Sequence, residues 1–315
     1  MSFIAKLVSF FLLIPALFGL YKTDDKDTQE LYLENIAAVG YENDVETAIP
    51  QTDLYGMIKD HFESELPEGK TEKKAIIIGY DGGRADALIL ADGPFSGIKK
   101  LRDAGGTCVL AYCGGVNYPA ENTQATSTAP GWCSILTGVW AEENGVYGNG
   151  QIKDLTHKTL LTSLTEDGII DSATFITIWD GHFVDENSTY KDEKAYCEEN
   201  NLPVSFNYCA TNTVAAAKAI EDITQDDCSD FIFAIYEGPD GAGHGFGFSV
   251  NNPCYQAGFK LNDQEAHTTI TAIENRPTYE TEDWLIILTS DHGGFGTGHG
   301  GPTIQERMTF VVTNK

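Results

Sequence analysis

Ala75-Ile76-Ile77-Ile78-Gly79-Tyr80-Asp81-Gly82-Gly83-Arg84-Ala85-Asp86 decides the fold. The first six residues are apolar without alternation, as in a strand covered on both faces. The run ends on a carboxylate followed by two glycines. Short apolar runs of the same kind recur at Thr107–Tyr112, Ala173–Trp179, Phe231–Tyr236, Trp284–Thr289 and Thr309–Thr313. Helical patterns separate them, at Phe95–Ala104, Gly131–Trp140, Leu160–Asp167, Ala210–Ile223 and Asp263–Glu274. Strand and helix in alternation predict an α/β fold, with a doubly wound, mostly parallel central sheet flanked by helices. In such sheets the chemistry sits just beyond the carboxyl ends of the strands.

Three strand ends carry metal-ligand chemistry. Asp81 follows the first. Glu237-Gly238-Pro239-Asp240-Gly241-Ala242-Gly243-His244 follows Phe231–Tyr236. Asp291-His292-Gly293-Gly294 follows Trp284–Thr289, and Gly298-His299-Gly300-Gly301 comes shortly after. Each residue has an ordinary alternative alone: Asp81 as a helix cap, Asp240 as a turn residue, His299 as a solvated loop side chain. Together they bring three Asp and three His to one sheet edge. Carboxylate oxygen and imidazole nitrogen are the usual non-sulfur ligands of zinc. Six of them suffice for two metals roughly 4 Å apart, a clamp for in-line displacement. Mn or Fe fits the same donors.

Thr126-Ser127-Thr128-Ala129-Pro130-Gly131-Trp132-Cys133 leads into a helix. A Thr hydroxyl there serves as a cap, with Pro in the first turn. The same place favours an anion through free N–H groups and the helix dipole. No histidine lies nearby in sequence to act as a base, so activation of the hydroxyl by a metal is the natural mechanism.

The chain has 315 residues and a formal net charge of −27, from 20 Lys+Arg and 47 Asp+Glu. Such a surface repels a phosphate backbone and excludes duplex nucleic acid as a partner. It also requires local cations if the substrate is anionic. Lys6 and the apolar run Leu7–Leu20 read as a signal peptide over residues 1–22, too short for a comfortable membrane span. The expectation is a secreted or periplasmic protein with no stable membrane partner after removal, or an anchored one if the segment stays uncleaved. Residues 23–72 read as an N-terminal extension with an amphipathic helix near Tyr55–Phe62, and residues 73–315 as the catalytic domain. Seven cysteines form no CxxC pair, which disfavours a cysteine zinc site. Export would let some of them pair. His61, His157 and His267 read as surface residues, and His182 either lines the site or is structural.

In order, these motifs resemble the alkaline phosphatase superfamily, and within it the nucleotide pyrophosphatase/phosphodiesterase branch. Asp81-Gly82-Gly83-Arg84-Ala85-Asp86-Ala87-Leu88 is similar to that branch's Asp-Gly-aromatic-Arg-x-Asp-Tyr-Leu signature. Thr128-Ala129-Pro130 resembles its Thr-Phe-Pro turn, and Leu136-Thr137-Gly138 the end of the same helix. Glu142-Glu143-Asn144-Gly145-Val146-Tyr147-Gly148-Asn149 resembles its His-Gly-Ile-x-x-Asn segment. The resemblance implies an alkaline-phosphatase-like three-layer sandwich and a two-zinc hydrolase of small phosphate esters, acting on phosphodiester or pyrophosphate bonds through a phospho-threonine intermediate. It implies that Asp81, Thr128, Asp291 and His292 surround one zinc, and that Asp240, His244 and His299 hold the other. Asn149 and the amide after Thr128 would bind phosphoryl oxygens.

Several positions depart from the family. Gly83, Ala129 and Gly131-Trp132 replace other residue types, which points to an open pocket without a nucleoside-binding cap. Asn144 stands where the family has His, and the gap from Asp291 to His299 is short. A sulfatase needs Cys or Ser at position 128 with Arg shortly after the Pro, where this chain has Trp132. A phosphomonoesterase needs a cation for the extra phosphate charge. Arg84 is the nearby candidate, read here as a structural ion pair. A phosphonate hydrolase is a further alternative of the same superfamily, and a non-catalytic metal-containing binding protein a more distant one.

Overall fold

The run Ala75–Tyr80 lies inside an eight-stranded sheet of the computed structural model, which describes residues 27–114 and 124–315. The apolar run Leu7–Leu20 falls outside those residues. The strands are β1 (Ile49–Pro50), β2 (Glu72–Tyr80), β3 (Thr107–Tyr112), β4 (Ala173–Thr177), β5 (Val204–Tyr208), β6 (Phe231–Tyr236), β7 (Glu282–Thr289) and β8 (Met308–Thr313). Their order across the sheet is β1-β3-β8-β7-β2-β6-β4-β5. All neighbours are parallel except β8, which runs antiparallel to both β3 and β7.

The unbroken apolar pattern of β2 follows from cover on both faces. Ile76, Ile78 and Tyr80 pack with Ile232, Ala234 and Leu288 under helices Asn212–Ile223 and Pro253–Glu274. Ala75 and Ile77 face the other way, onto Phe233, Ile235 and Ile287, under helices Asp53–Glu63, Thr128–Thr137 and Leu160–Glu166. Three layers result. Among the described residues no helix is long and apolar enough to cross a membrane.

Register sets the site. Tyr80 pairs with Tyr236, and Gly79 with Thr289. The carboxyl ends of β2, β6 and β7 are therefore level, and the residues that follow them emerge at one edge.

Several elements differ from the sequence expectation. Segment 23–72 adds a strand, β1, which pairs with β3 through Ile49 and Ala111. It also adds helix Gln29–Val39, whose N-cap Thr28 accepts from the Leu31 amide at 3.2 Å. Strand β5 escaped notice because, as an edge strand, it is half exposed and mixes Ser205 and Asn207 with apolar residues. All seven cysteines are buried free thiols. His61 is buried, not a surface residue. Its Nε2 lies 3.1 Å from the Lys74 carbonyl and its Nδ1 accepts from Lys315 at 3.2 Å. Burial, then the Lys315 charge, pushes its pKa down to about 4.

Arg84 is structural. Its fully buried guanidinium makes paired bonds to Asp86, both at 2.9 Å, and to Asp27 at 2.6 and 2.9 Å, and it lies over the Tyr32 ring. This knot ties the N-terminal segment to the turn after β2. Arg84→Ala leaves Asp86 buried without its main partner and should cost about 3–5 kcal/mol of stability, read by urea unfolding. A loss below about 1 kcal/mol would show the knot to be dispensable.

His182 is structural as well. It is fully buried among Phe175, Trp179 and Tyr190, and neither ring nitrogen has a partner. Burial lowers its pKa from 6.5 to about 3. The folded state thus refuses a proton that the unfolded state accepts, so stability should fall as pH drops from 6.5 towards 3. The expected slope is about 1.4 kcal/mol per pH unit from this group. His182→Phe should flatten that part of the stability profile, and an unchanged slope would refute the assignment.

Candidate metal centre

Asp81, Asp291 and His292 meet where β2 and β7 end. His292 Nε2 stands 3.5 Å from Asp81 Oδ1 and 3.4 Å from Asp291 Oδ2. All three side chains are buried. Thr128, the first residue of helix Thr128–Thr137, places its hydroxyl 3.5 Å from Asp81 Oδ1 and 3.4 Å from His292 Nε2. The four residues expected around one metal are therefore together.

Asp240, His244 and His299 meet beside them. Asp240 Oδ1 is 3.5 Å from His244 Nε2 and 3.6 Å from His299 Nε2, and the two Nε2 atoms are 3.1 Å apart. His292 and His299 stack at 4.0 Å, so His292 borders both groups. Two sets offer ligand atoms within 4.8 Å of one another: Asp81, Asp291 and His292, and Asp240, His292 and His299.

Two glycines permit these approaches. Gly82 adopts φ +67°, and a Cβ on it would lie 2.8 Å from the Asp240 Cα. The Asp240 amide donates to the Asp81 carbonyl at 3.0 Å across this contact. Gly131 presses the Thr128 helix onto β7's end; a Cβ there would lie 2.5 Å from the Asp291 carbonyl oxygen. Gly131-Trp132 thus does not open the pocket. Trp132 is fully buried and its indole N–H points to Asp81 Oδ2 at 3.4 Å. Sequence reading missed this role because a Trp on an apolar helix face looks like core.

The donors fit a metal. Each histidine has a backbone carbonyl at Nδ1: Gly293 at 2.6 Å for His292, Thr297 at 3.0 Å for His244 and Thr126 at 3.1 Å for His299. A carbonyl can only accept, so Nδ1 carries the hydrogen and each Nε2 presents a lone pair inward. Those lone pairs face carboxylate oxygens and one another. Buried Asp240 Oδ1 and Asp291 Oδ2 have no hydrogen-bond partner. Burial, then Asp291 and Asp240, holds the Asp81 carboxyl well above its usual range. Burial, then Asp240, does the same to Asp291. Burial, then the His299 charge, keeps His292 from taking a proton. Carboxyls that resist ionising and imidazoles that resist protonation, aimed at shared points, are complementary to divalent cations.

Asn149 departs from its expected part. It is exposed, and its Oδ1 accepts from the Ala129 amide at 2.9 Å. The two groups expected to hold phosphoryl oxygens are bonded to each other, because that amide at the helix start has no intrahelical acceptor. Asn149 Nδ2 remains as a donor. Asn144, at the family's His position, is buried and staples its turn, donating to the Val139 carbonyl at 2.8 Å and accepting from Val146 at 2.9 Å.

Fold and site define an α/β protein with a candidate dinuclear metal centre at the carboxyl edge of its sheet. Residues 75–297 match the type I phosphodiesterase/nucleotide pyrophosphatase family, and the chain belongs to it. It is 24% identical over 243 residues to the bis(5'-adenosyl)-triphosphatase enpp4 of Xenopus laevis, a match covering 73% of this chain and 49% of that protein. The chain spans about half the length of this curated relative. Among solved structures, a 2-O GAG sulfatase shares the fold at TM-score 0.52 and 9% identity, over 77% of this chain and 64% of its own. Murine ectonucleotide pyrophosphatase/phosphodiesterase 5, in an inactive form with AMP, superposes at TM-score 0.46 and 20% identity, over 70% of this chain and 57% of its own.

Zinc added to metal-stripped protein should raise Tm, by the equivalent of about 2.7 kcal/mol at 100 times Kd. Asp291→Ala should blunt the response. Scanning calorimetry with and without chelator checks both, and a Tm indifferent to zinc would rule the centre out.

Proposed function

We propose that this protein hydrolyses phosphodiester or pyrophosphate bonds of small substrates at a two-zinc site, with Thr128 as nucleophile. The observation that carries this is the Thr128 hydroxyl, which opens a helix inside the ligand cluster, within 3.5 Å of Asp81 and His292. Membership of the family supports it, as does the similarity to the Xenopus bis(5'-adenosyl)-triphosphatase.

Asp81, Asp291 and His292 would hold one zinc next to Thr128, and Asp240, His244 and His299 the other. Zinc supplies positive charge that lowers the pKa of the Thr128 hydroxyl and neutralises phosphoryl oxygens. The remaining work belongs to the chain. The Thr128 hydroxyl loses its proton to solvent and its oxygen attacks phosphorus in line, the P–O bond to the leaving group breaks, the departing oxygen takes a proton from solvent, and a phospho-threonine results. Water then attacks the same phosphorus and returns the Thr128 hydroxyl, releasing the phosphate product. The Ala129 amide holds Asn149 in place through Oδ1, and Asn149 Nδ2 donates to the oxygens that gain charge.

The diester is preferred over the monoester on charge. Asp81, Asp240, Asp291 and the three histidines have no hydrogen bond or ion pair with any described lysine or arginine, and Arg84 is consumed by Asp86 and Asp27. A monoester's second negative charge finds no side-chain cation here.

Purified protein should cleave an aryl phosphodiester faster than the matching monoester, and chelator should stop both. Thr128→Ala should reduce the rate by at least about 10³-fold while keeping fold and zinc. Monoester preference would move the assignment to a phosphatase, and no turnover of either ester with zinc bound would leave a binding protein or a different substrate class such as phosphonates.

A further inference from the structure

Thr126 is fully buried two residues before the nucleophile, and it grips the loop that carries His299. Its Oγ1 donates to the Gly301 carbonyl at 2.9 Å and accepts from the Gly300 amide at 3.0 Å. Its own carbonyl accepts from His299 Nδ1 at 3.1 Å. One residue therefore contacts three consecutive positions, 299, 300 and 301.

The loop needs such a grip. His299 sits between Gly298 and Gly300, and Gly300 has φ +104°. Glycine backbone is permissive, so the chain on its own leaves the imidazole poorly placed. Other contacts fix only the flanks. The Gly296 carbonyl accepts from the Phe248 amide at 2.7 Å, Thr297 from His244 at 3.0 Å, and the Gly301 amide donates to Glu306 at 2.8 Å. Apart from the longer approach of Ser127 Oγ at 3.4 Å, Thr126 alone among the described residues meets the Nδ1 edge of His299.

We propose that Thr126 is a positioning residue that fixes the tautomer and place of His299 and ties the second metal position to the nucleophile segment. This rests on the two-zinc proposal above. A ligand's outer hydrogen-bond partner holds its orientation and tautomer, and losing it weakens metal binding. Because Thr126 and Thr128 share one short segment, the same grip sets the spacing between the attacking oxygen and the second metal.

The test is zinc titration against a competing chelator on the full chain, with Tm recorded alongside. Wild type should bind two zinc ions. Thr126→Val keeps the shape and removes both hydroxyl bonds. The Thr126 carbonyl that sets the tautomer remains, so the change loosens the loop alone; it should weaken one zinc by about 10-fold and leave the other unchanged. Thr126→Ser should restore wild-type affinity. In a His299→Ala background the valine change should add no further loss. If wild type binds two zinc ions and Thr126→Val binds both with wild-type affinity, the positioning role is wrong while the two-zinc proposal stands. If wild type saturates below two, both fall. Should the valine variant not fold, the zinc-loaded wild type decides: slow hydrogen exchange at the Gly300 amide is expected, and fast exchange overturns the grip.

Discussion

Lone pairs pointed at lone pairs are the constraint on which this molecule turns. At the carboxyl edge of the sheet, His244 and His299 present Nε2 atoms 3.1 Å apart, and His292 presents its own to Asp81 and Asp291. Among the described residues, only the Thr128 hydroxyl approaches His292 Nε2 as a donor, at 3.4 Å, and no donor separates the His244 and His299 Nε2 atoms. A protonated imidazole would ease it, yet burial works against the proton on His292 and His299. Protonated carboxyls would ease it too, at the cost of the ligand set. Divalent cations at the two positions would satisfy these donors, so the arrangement makes physical sense as a binding site and little sense as a packing solution.

Holding the repulsion in place demands a rigid frame, which the central strands provide. β2 pairs with β7 on one side and β6 on the other, and its interior isoleucines are completely buried. β2 and β7 deliver Asp81 and Asp291 within two residues of their last pairing residues, and β6 delivers Asp240 from the helix that follows it, so side-chain positions inherit the precision of the sheet. The second frame is the Thr128 helix. It lies against Asp291 at a distance only a glycine allows, and the buried Trp132 fills the space beneath Asp81. Departures from the family at positions 131 and 132 are thus two halves of one packing arrangement: a small residue where backbones touch and a large one where they do not.

How much of this was legible follows from which force dominates each segment. The six main strands were legible because burial on both faces removes alternation, and the ligands because strand ends are where a doubly wound sheet exposes chemistry. Helix Gly238–Phe246 was not, for it carries four glycines and a proline and reads as a turn. It forms because close packing overrides propensity: a Cβ on Gly238 would meet the Gly258 carbonyl at 2.5 Å, and one on Gly243 the Phe248 ring at 2.4 Å. The Gly258 contact comes from twenty positions along the chain, beyond any local pattern, and the Phe248 ring folds back from just past the helix end. The burial of His61 was hidden for the same reason, since its partners Lys74 and Lys315 come from distant parts of the chain. Arg84 could be read correctly because Asp86, two residues on, supplies its partner locally.

The charge balance favours a metal-borne mechanism for the proposed reaction. A chain of net charge −27 must attract a phosphate ester against its own field. Arg84, the cation nearest in sequence to the first ligand, is fully buried and committed to Asp86 and Asp27. Among the described residues no lysine or arginine pairs with the six ligands, so in the proposed reaction the positive charge would come from bound ions. That division has a consequence for specificity. Metals neutralise the phosphoryl group wherever it sits but offer nothing to a second anionic group farther out, where the acidic surface takes over. In the proposed reaction, each charge that a substrate carries beyond the reach of the metals weakens its binding against this acidic surface.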